Sequence, residues 1–294
     1  MKLHAVSRSS LIHLRLPFSW LLLPIFLFGL LAAPGFDFVK ATLVFAVLHF
    51  FIYTASNSFN TYFDRDADSI GLIKRPPAVT SDLLWISLSF DIVGVLLACV
   101  VSWQFALGCL IYGAASKAYS LPQIRIKKYP IAGWLFTGTG QGTLTFLLIV
   151  FSVKPFPLHM VMNFNIWFPA LCIGLLLLGL YPLTQVYQHA EDKSRGDQTI
   201  SLLLGVKGTF ILSTIFLSIS IIGILYYLCI SFGQGVAISF ATTVIPIVIY
   251  FAYWFSLIVK DETKADYEHT MRMCLLASTL LNLFCVGVLI IYNR

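Results

Sequence analysis

The sequence predicts an all-α integral membrane protein, and three observations carry that prediction. First, 59% of the residues are hydrophobic and 11% are charged, with a mean hydropathy of +0.87, whereas about a quarter of an ordinary soluble domain is charged. So little polar surface does not cover a water-soluble globule of 294 residues. Second, apolar stretches of about twenty residues, enough to cross a bilayer core, recur along the whole chain. Third, lysine and arginine concentrate in alternate loops.

Nine transmembrane helices are expected, near residues 17–34, 39–63, 82–102, 103–119, 130–152, 164–188, 208–231, 236–259 and 269–292. The first follows Lys2, Arg8 and Arg15 and opens like a secretory signal. Its apolar run is long for one, and eight further spans follow, so it reads as an uncleaved helix. The third and fourth nearly fuse at Ser102-Trp103, which calls for a very short turn. No low-complexity tract and no soluble insert interrupts the series, so 1–294 reads as a single polytopic membrane domain. The six cysteines (99, 109, 172, 229, 274 and 285) all lie in apolar spans without a CxxC pair. They read as buried structural thiols, not as a disulfide framework or a zinc site.

Of the 19 Lys and Arg residues, 16 fall at the N-terminus or in the loops after spans 2, 4, 6 and 8; Lys40, Lys154 and Arg294 are the others. The positive-inside rule then puts the N-terminus in the cytoplasm and the C-terminus outside. The net charge of +6 follows from that topology, with basic loops against anionic lipid. No nucleic-acid partner is implied, and no obligate protein partner is evident.

The second span ends in "SNSFNTYFDRDADSIGLIKRPP", residues 56–77. His49, Tyr53, Asn57, Asn60, Asp64 and Asp68 follow one another at intervals of three or four, within an arc of about 100° if the helix persists. A solvated acidic helix end would explain the charge but not the aligned Asn and Tyr. Successive rungs are about 6 Å apart. One small cation with oxygen ligands at about 2 Å bridges one adjacent pair and not three, so the ladder suits two ions. Left bare, two carboxylates about 5 Å apart repel by roughly 3 kcal/mol at an effective dielectric near 20.

The sixth span ends "YPLTQVYQHAEDKSRGDQT", where Tyr181, Gln185, Gln188 and Asp192 share a helical face within about 60°. Both acidic ends are expected on the cytoplasmic side, where the two polar faces can confront each other. The loops after spans 2 and 4 supply Lys74 and Arg75, then Lys117, Tyr119, Arg125, Lys127 and Lys128. Such side chains are the usual partners of phosphate oxygens. Acidic helix ends, basic loops and a greasy interior suit a diphosphate held by two metal ions at the membrane surface, with its hydrocarbon in the bilayer. Asp91, in the middle of span 3, is expensive there and functional by default; protonation, a polar partner and proximity to the second substrate are equally open. His49 reads as a hydrogen-bonded interior residue rather than a base.

These residues resemble the UbiA-type intramembrane prenyltransferases. The family's first motif, NDxxDxxxD, is matched by "NTYFDRDAD" at 60–68, with Thr61 where Asp is usual. "KRP" at 74–76 resembles the loop that follows it, and "YSLPQIRIKK" at 119–128 resembles a YSxPxxxxK loop. Counting back from "TISLLLG", Gln188 replaces the first Asp of the second motif, DxxxD, and Asp192 matches the second. The resemblance implies nine helices around a central cavity with a cytoplasmic loop cap. It also implies magnesium-dependent transfer from a prenyl diphosphate to a lipophilic aromatic or hydroxyl acceptor. Asn60, Asp64, Asp68 and Asp192 would hold Mg2+. Lys74, Arg75, Arg125, Lys127, Lys128, Gln185 and Gln188 would serve the substrate, and Tyr119 and Tyr181 would bind phosphate or face the allylic cation. A transporter or a non-catalytic lipid-binding protein on the same fold is the alternative. A transporter keeps its site near the midplane, whereas these acids gather at one surface.

Overall fold

The computed structural model describes residues 6–154 and 163–292; Lys2 and Arg294, two of the charges counted for topology, lie outside them. Among the described residues every regular element is helical. In chain order they are α1 (Arg8–His13), α2 (Ser19–Leu31), α3 (Phe38–Ala46), α4 (Tyr53–Asp64), α5 (Asp82–Val101), α6 (Trp103–Ser120) and α7 (Pro130–Thr137). Then come α8 (Thr145–Val153), α9 (Phe164–Leu183), α10 (His189–Arg195), α11 (Ile200–Phe232), α12 (Gln234–Lys260) and α13 (Tyr267–Tyr292). Wide π turns join α3 to α4 at Val47–Ile52 and α7 to α8 at Gly138–Leu144.

Among the described residues, eight helical stretches are long and apolar enough to cross a membrane. They correspond to eight of the nine expected spans. The remaining expected span, 103–119, is α6, a helix of 18 residues.

Polar residues begin these helices for a local reason: the first four backbone N–H groups of a helix have no partner within it. Asp37, Ser102, Asn163 and Thr199 each accept from N–H groups of the first turn, as N-caps do. Ser102, fully extended at φ −172° and ψ 157°, both ends α5 and caps α6. The turn between those helices is therefore a single residue.

The chain divides into two compact units, Met1–Ser19 with Asp37–Lys127, and Trp20–Phe36 with Lys128–Arg294. In the first, α4 and the π turn before it pack on α5 and α6, with Leu48, Ile52 and Tyr53 buried. The π turn puts His49 among aromatic rings, stacked on Phe45 at 4.5 Å and edge-on to Tyr53 at 5.1 Å, with a hydrogen bond to Ser19. It is an interior hydrogen-bonded residue, as its sequence context suggests.

In the second unit α9 lies against α11 and against the π turn. The approach there is backbone to backbone: a Cβ on Gly142 would fall 2.7 Å from the Cα of Gly174. Small residues permit such packing between membrane helices. Phe28, Phe240 and Phe284 form a ring cluster beside an apolar chamber of about 130 Å3. Leu180, Leu217, Phe251 and Met273 contribute to its wall.

Candidate active site

The acidic end of α4 is built within the first unit. Asn60 and Asp64 lie one turn apart, and Asp64 is the last helical residue. The helix stops because Arg65 adopts a left-handed backbone (φ 49°), its N–H bonded to the carbonyl of Thr61 at 2.9 Å. The helical ladder therefore ends at Asp64 and does not run on to Asp68. Past the break the exposures also differ from a continuous face: Asp66 is buried and Asp68 is exposed. Lower on the ladder, the π turn breaks the regular spacing between His49 and Tyr53.

Three elements meet on that helix end. Asn60 donates through Nδ2 to Ser120 Oγ at 2.9 Å, so its amide oxygen, the atom a metal requires, is the end not used in that bond. Arg125 reaches Asp64 Oδ1 at 3.4 Å, and the Lys127 ammonium contacts the other carboxylate oxygen, Oδ2. Arg125 is itself left-handed (φ 44°), which turns the chain after α6 back towards α4. One turn below Ser120, Lys117 pairs with Asp91 and lies over the Phe59 ring at 5.2 Å. Of the roles open to Asp91, the structure shows a polar partner.

Lys74 and Arg75 are exposed in the loop after the Ile70–Ile73 turn, and Tyr119 is half-buried next to Ser120. That loop is anchored by the N-terminal segment, which the sequence reading passed over. Ser7 N–H donates to Asp82 at 2.9 Å, Ser9 to the Ala78 carbonyl at 2.6 Å, and His13 Nε2 pairs with the Pro77 carbonyl at 2.8 Å. Arg15 donates to Asn57 Oδ1 at 3.1 Å, on the polar side of α4. The run "SRSSLIH" carried the only hint, a cluster of hydroxyls before an apolar helix.

The second acidic cluster lies in the other unit, and its helix is not continuous as expected. α9 ends at Leu183, a 3-10 turn covers Val186–Gln188, and α10 begins at His189. The expected single face of Tyr181, Gln185, Gln188 and Asp192 is thus broken after Pro182, which lies just before the helix end. Tyr181 and Gln188 are half-buried, and Gln185 is buried with its Oε1 making no hydrogen bond among the described residues. Asp192 is buried and accepts from Thr199 Oγ1 at 3.4 Å. Asp197, 2% exposed, follows the left-handed Gly196 that closes α10, while Glu191 pairs with Arg195. Lys128 joins this cluster through its carbonyl, which accepts from Gln198 N–H at 3.3 Å.

Among the described residues, no group of three or more His, Cys, Asp or Glu side chains is arranged to hold a metal ion. The donors at the α4 end still fit a hard cation, because an amide oxygen and a carboxylate are the ligands magnesium takes. The Lys127 ammonium already stands on Asp64 where such a charge would go.

The chain belongs to the UbiA prenyltransferase family, whose model matches residues 21–290. No curated protein matches it. Among solved structures it is similar to an apo UbiA homologue from Aeropyrum pernix K1, 17% identical, TM-score 0.71, covering 94% of this chain and 98% of that one. A UbiA homologue from Archaeoglobus fulgidus bound to GPP and Mg2+ is 19% identical with a TM-score of 0.66, over 95% and 99% of the two chains. A structure of digeranylgeranylglyceryl phosphate synthase is 21% identical with a TM-score of 0.61, over 95% and 97%. At these identities the likeness establishes the fold.

Proposed function

We propose that this protein transfers a prenyl group from a prenyl diphosphate to a lipophilic acceptor, an aromatic ring or a hydroxyl, within the membrane and with Mg2+. The observation that carries the reading is the meeting of Lys127 and Arg125 on Asp64, one turn beyond Asn60, in a member of a prenyltransferase family. Acid and base gathered at a helix end suit a diphosphate and its counter-ion better than either alone. Magnesium, when bound, supplies Lewis-acid charge to the leaving diphosphate.

Asn60, Asp64 and Asp68 would hold the ion, and Asp192 would serve the second motif. Arg125, Lys127, Lys128, Lys74 and Arg75 take up diphosphate charge, and Gln185 and Gln188 offer neutral amides to the substrate. The bond between the allylic carbon and the diphosphate oxygen breaks with its electron pair leaving on the diphosphate. The acceptor carbon or oxygen bonds to that allylic carbon and gives up a proton. Tyr119 and Tyr181 bind phosphate or face the cation, and the apolar chamber of the second unit takes hydrocarbon. The reading puts the N-terminus and the acidic helix ends on the cytoplasmic side, with 1–294 working as one domain.

Purified protein with Mg2+, labelled prenyl diphosphates and a membrane-extract acceptor pool should yield a prenylated lipid that mass spectrometry identifies. Asp64→Ala should abolish its formation while the protein still inserts. Turnover unchanged in that variant at saturating Mg2+ would defeat the assignment.

A further inference from the structure

α4 and α6 are joined by a seam of side chains with one constant offset. Ser56 Oγ and Ser116 Oγ share a hydrogen bond of 2.6 Å, and one turn later Asn60 Nδ2 donates to Ser120 Oγ at 2.9 Å. Both contacts join residues 60 apart in the chain, so the two helices keep register over that turn. Between them Lys117 lies over the Phe59 ring at 5.2 Å and pairs with Asp91 of α5. Ser120 is the last residue of α6 and is 1% exposed. The N–H of Leu121 returns to the Lys117 carbonyl at 2.7 Å, which closes the helix behind it. Helix packing thus places the Ser120 hydroxyl opposite Asn60, in a spot that bulk water does not reach. Among the described residues it is the one hydrogen-bond partner of the Asn60 side chain.

We infer that Ser120 is a positioning residue: its hydroxyl holds the Asn60 amide so that the oxygen, and not the NH2 group, is presented to the cation. The inference rests on the proposed prenyl-diphosphate reading, in which Asn60 is a metal ligand. A carboxamide has one end that binds a hard cation and one end that repels it. The two ends are nearly the same size, so shape alone does not choose between them. A partner that accepts from the NH2 group does choose, because it leaves the oxygen as the free end. Ser120 makes that choice before any ion arrives, so the side chain is ordered during folding and not on binding. A carboxylate at this position needs no such choice, since its two oxygens are equivalent. The need for Ser120 is therefore tied to the amide and disappears with it.

The test is Mn2+ binding to the full detergent-solubilised chain, read by electron paramagnetic resonance as loss of the free-ion signal, with Asp64→Ala as the reference for the site. Ser120→Ala should bind Mn2+ about fivefold more weakly than the native chain, the scale of ordering one side chain on binding. Ser120→Cys keeps the shape of the side chain but offers only a weak sulfur acceptor. It should lose affinity in the same direction, so the comparison stands even where the alanine variant folds poorly. In an Asn60→Asp background, either substitution should change Mn2+ affinity by less than about twofold. A displaced helix end would instead weaken both backgrounds alike. A comparable loss in both backgrounds, or native affinity in Ser120→Ala and Ser120→Cys, overturns the inference and leaves the prenyltransferase reading standing. Native-level Mn2+ binding in Asp64→Ala, or no binding by the native chain, removes the metal assignment and the inference with it.

Discussion

Asp91→Asn should destabilise the protein, and Lys117→Met added to it should restore most of the loss. The pair joins α5 to α6, and its side chains are only 18% and 16% exposed for Lys117 and Asp91 respectively. Among the described residues neither charged group makes a hydrogen bond to any other partner. Removing one member of a buried pair costs about 3–5 kcal/mol, because the other charge is left uncompensated. Lys117 keeps its place over the Phe59 ring at 5.2 Å, and asparagine can still accept a hydrogen bond, so the low end, about 3 kcal/mol, is expected. Removing both charges should bring the protein back to within about 1 kcal/mol of native. Unfolding in mixed micelles with increasing SDS, followed by helicity, measures all three variants and the native chain in one double-mutant cycle. A single variant that loses less than about 1 kcal/mol, or a double variant whose loss is the sum of the singles, would refute the ion-pair account.

Gly142→Ala places a methyl 2.7 Å from the Cα of Gly174 and 3.1 Å from the Ile173 carbonyl. Both neighbours are backbone, so α9 must shift, at a cost of about 1–3 kcal/mol, read as a lower unfolding midpoint. Gln188→Asp restores the DxxxD spacing with Asp192 and should lower the Mg2+ concentration for half-maximal turnover. Activity and Mg2+ dependence both unchanged would turn attention to Glu191 or the more deeply buried Asp197. A reporter fused after Arg294 should be exposed outside, and one in the 64–80 loop inside. Finding both on one face would mean that the span count is wrong by an odd number.

The amino-acid sequence determined the helices by itself, because bilayer thickness sets a length that a local apolar run either meets or fails. The N-cap residues Asp37, Ser102, Asn163 and Thr199 are legible for the same reason: they act within one turn of where they stand. The candidate residues Asn60, Asp64, Arg125, Lys127 and Asp192 could also be chosen from type and spacing. Tertiary structure decided what each of them meets. Lys127 and Asp64 are 63 residues apart in the chain, and Asn60 and Ser120 are 60 apart; no periodicity along one segment reports such a pairing. Helix ends were the other failure. The spacing from Asn60 to Asp68 suits a continuing helix, yet the chain turns left-handed at Arg65 and sends Asp66 inward. The face from Tyr181 to Asp192 breaks into a 3-10 turn in the same way. At the α4 end the groups that meet the last turn, Ser120, Arg125 and Lys127, come from about sixty residues along the chain, so the local spacing does not report them.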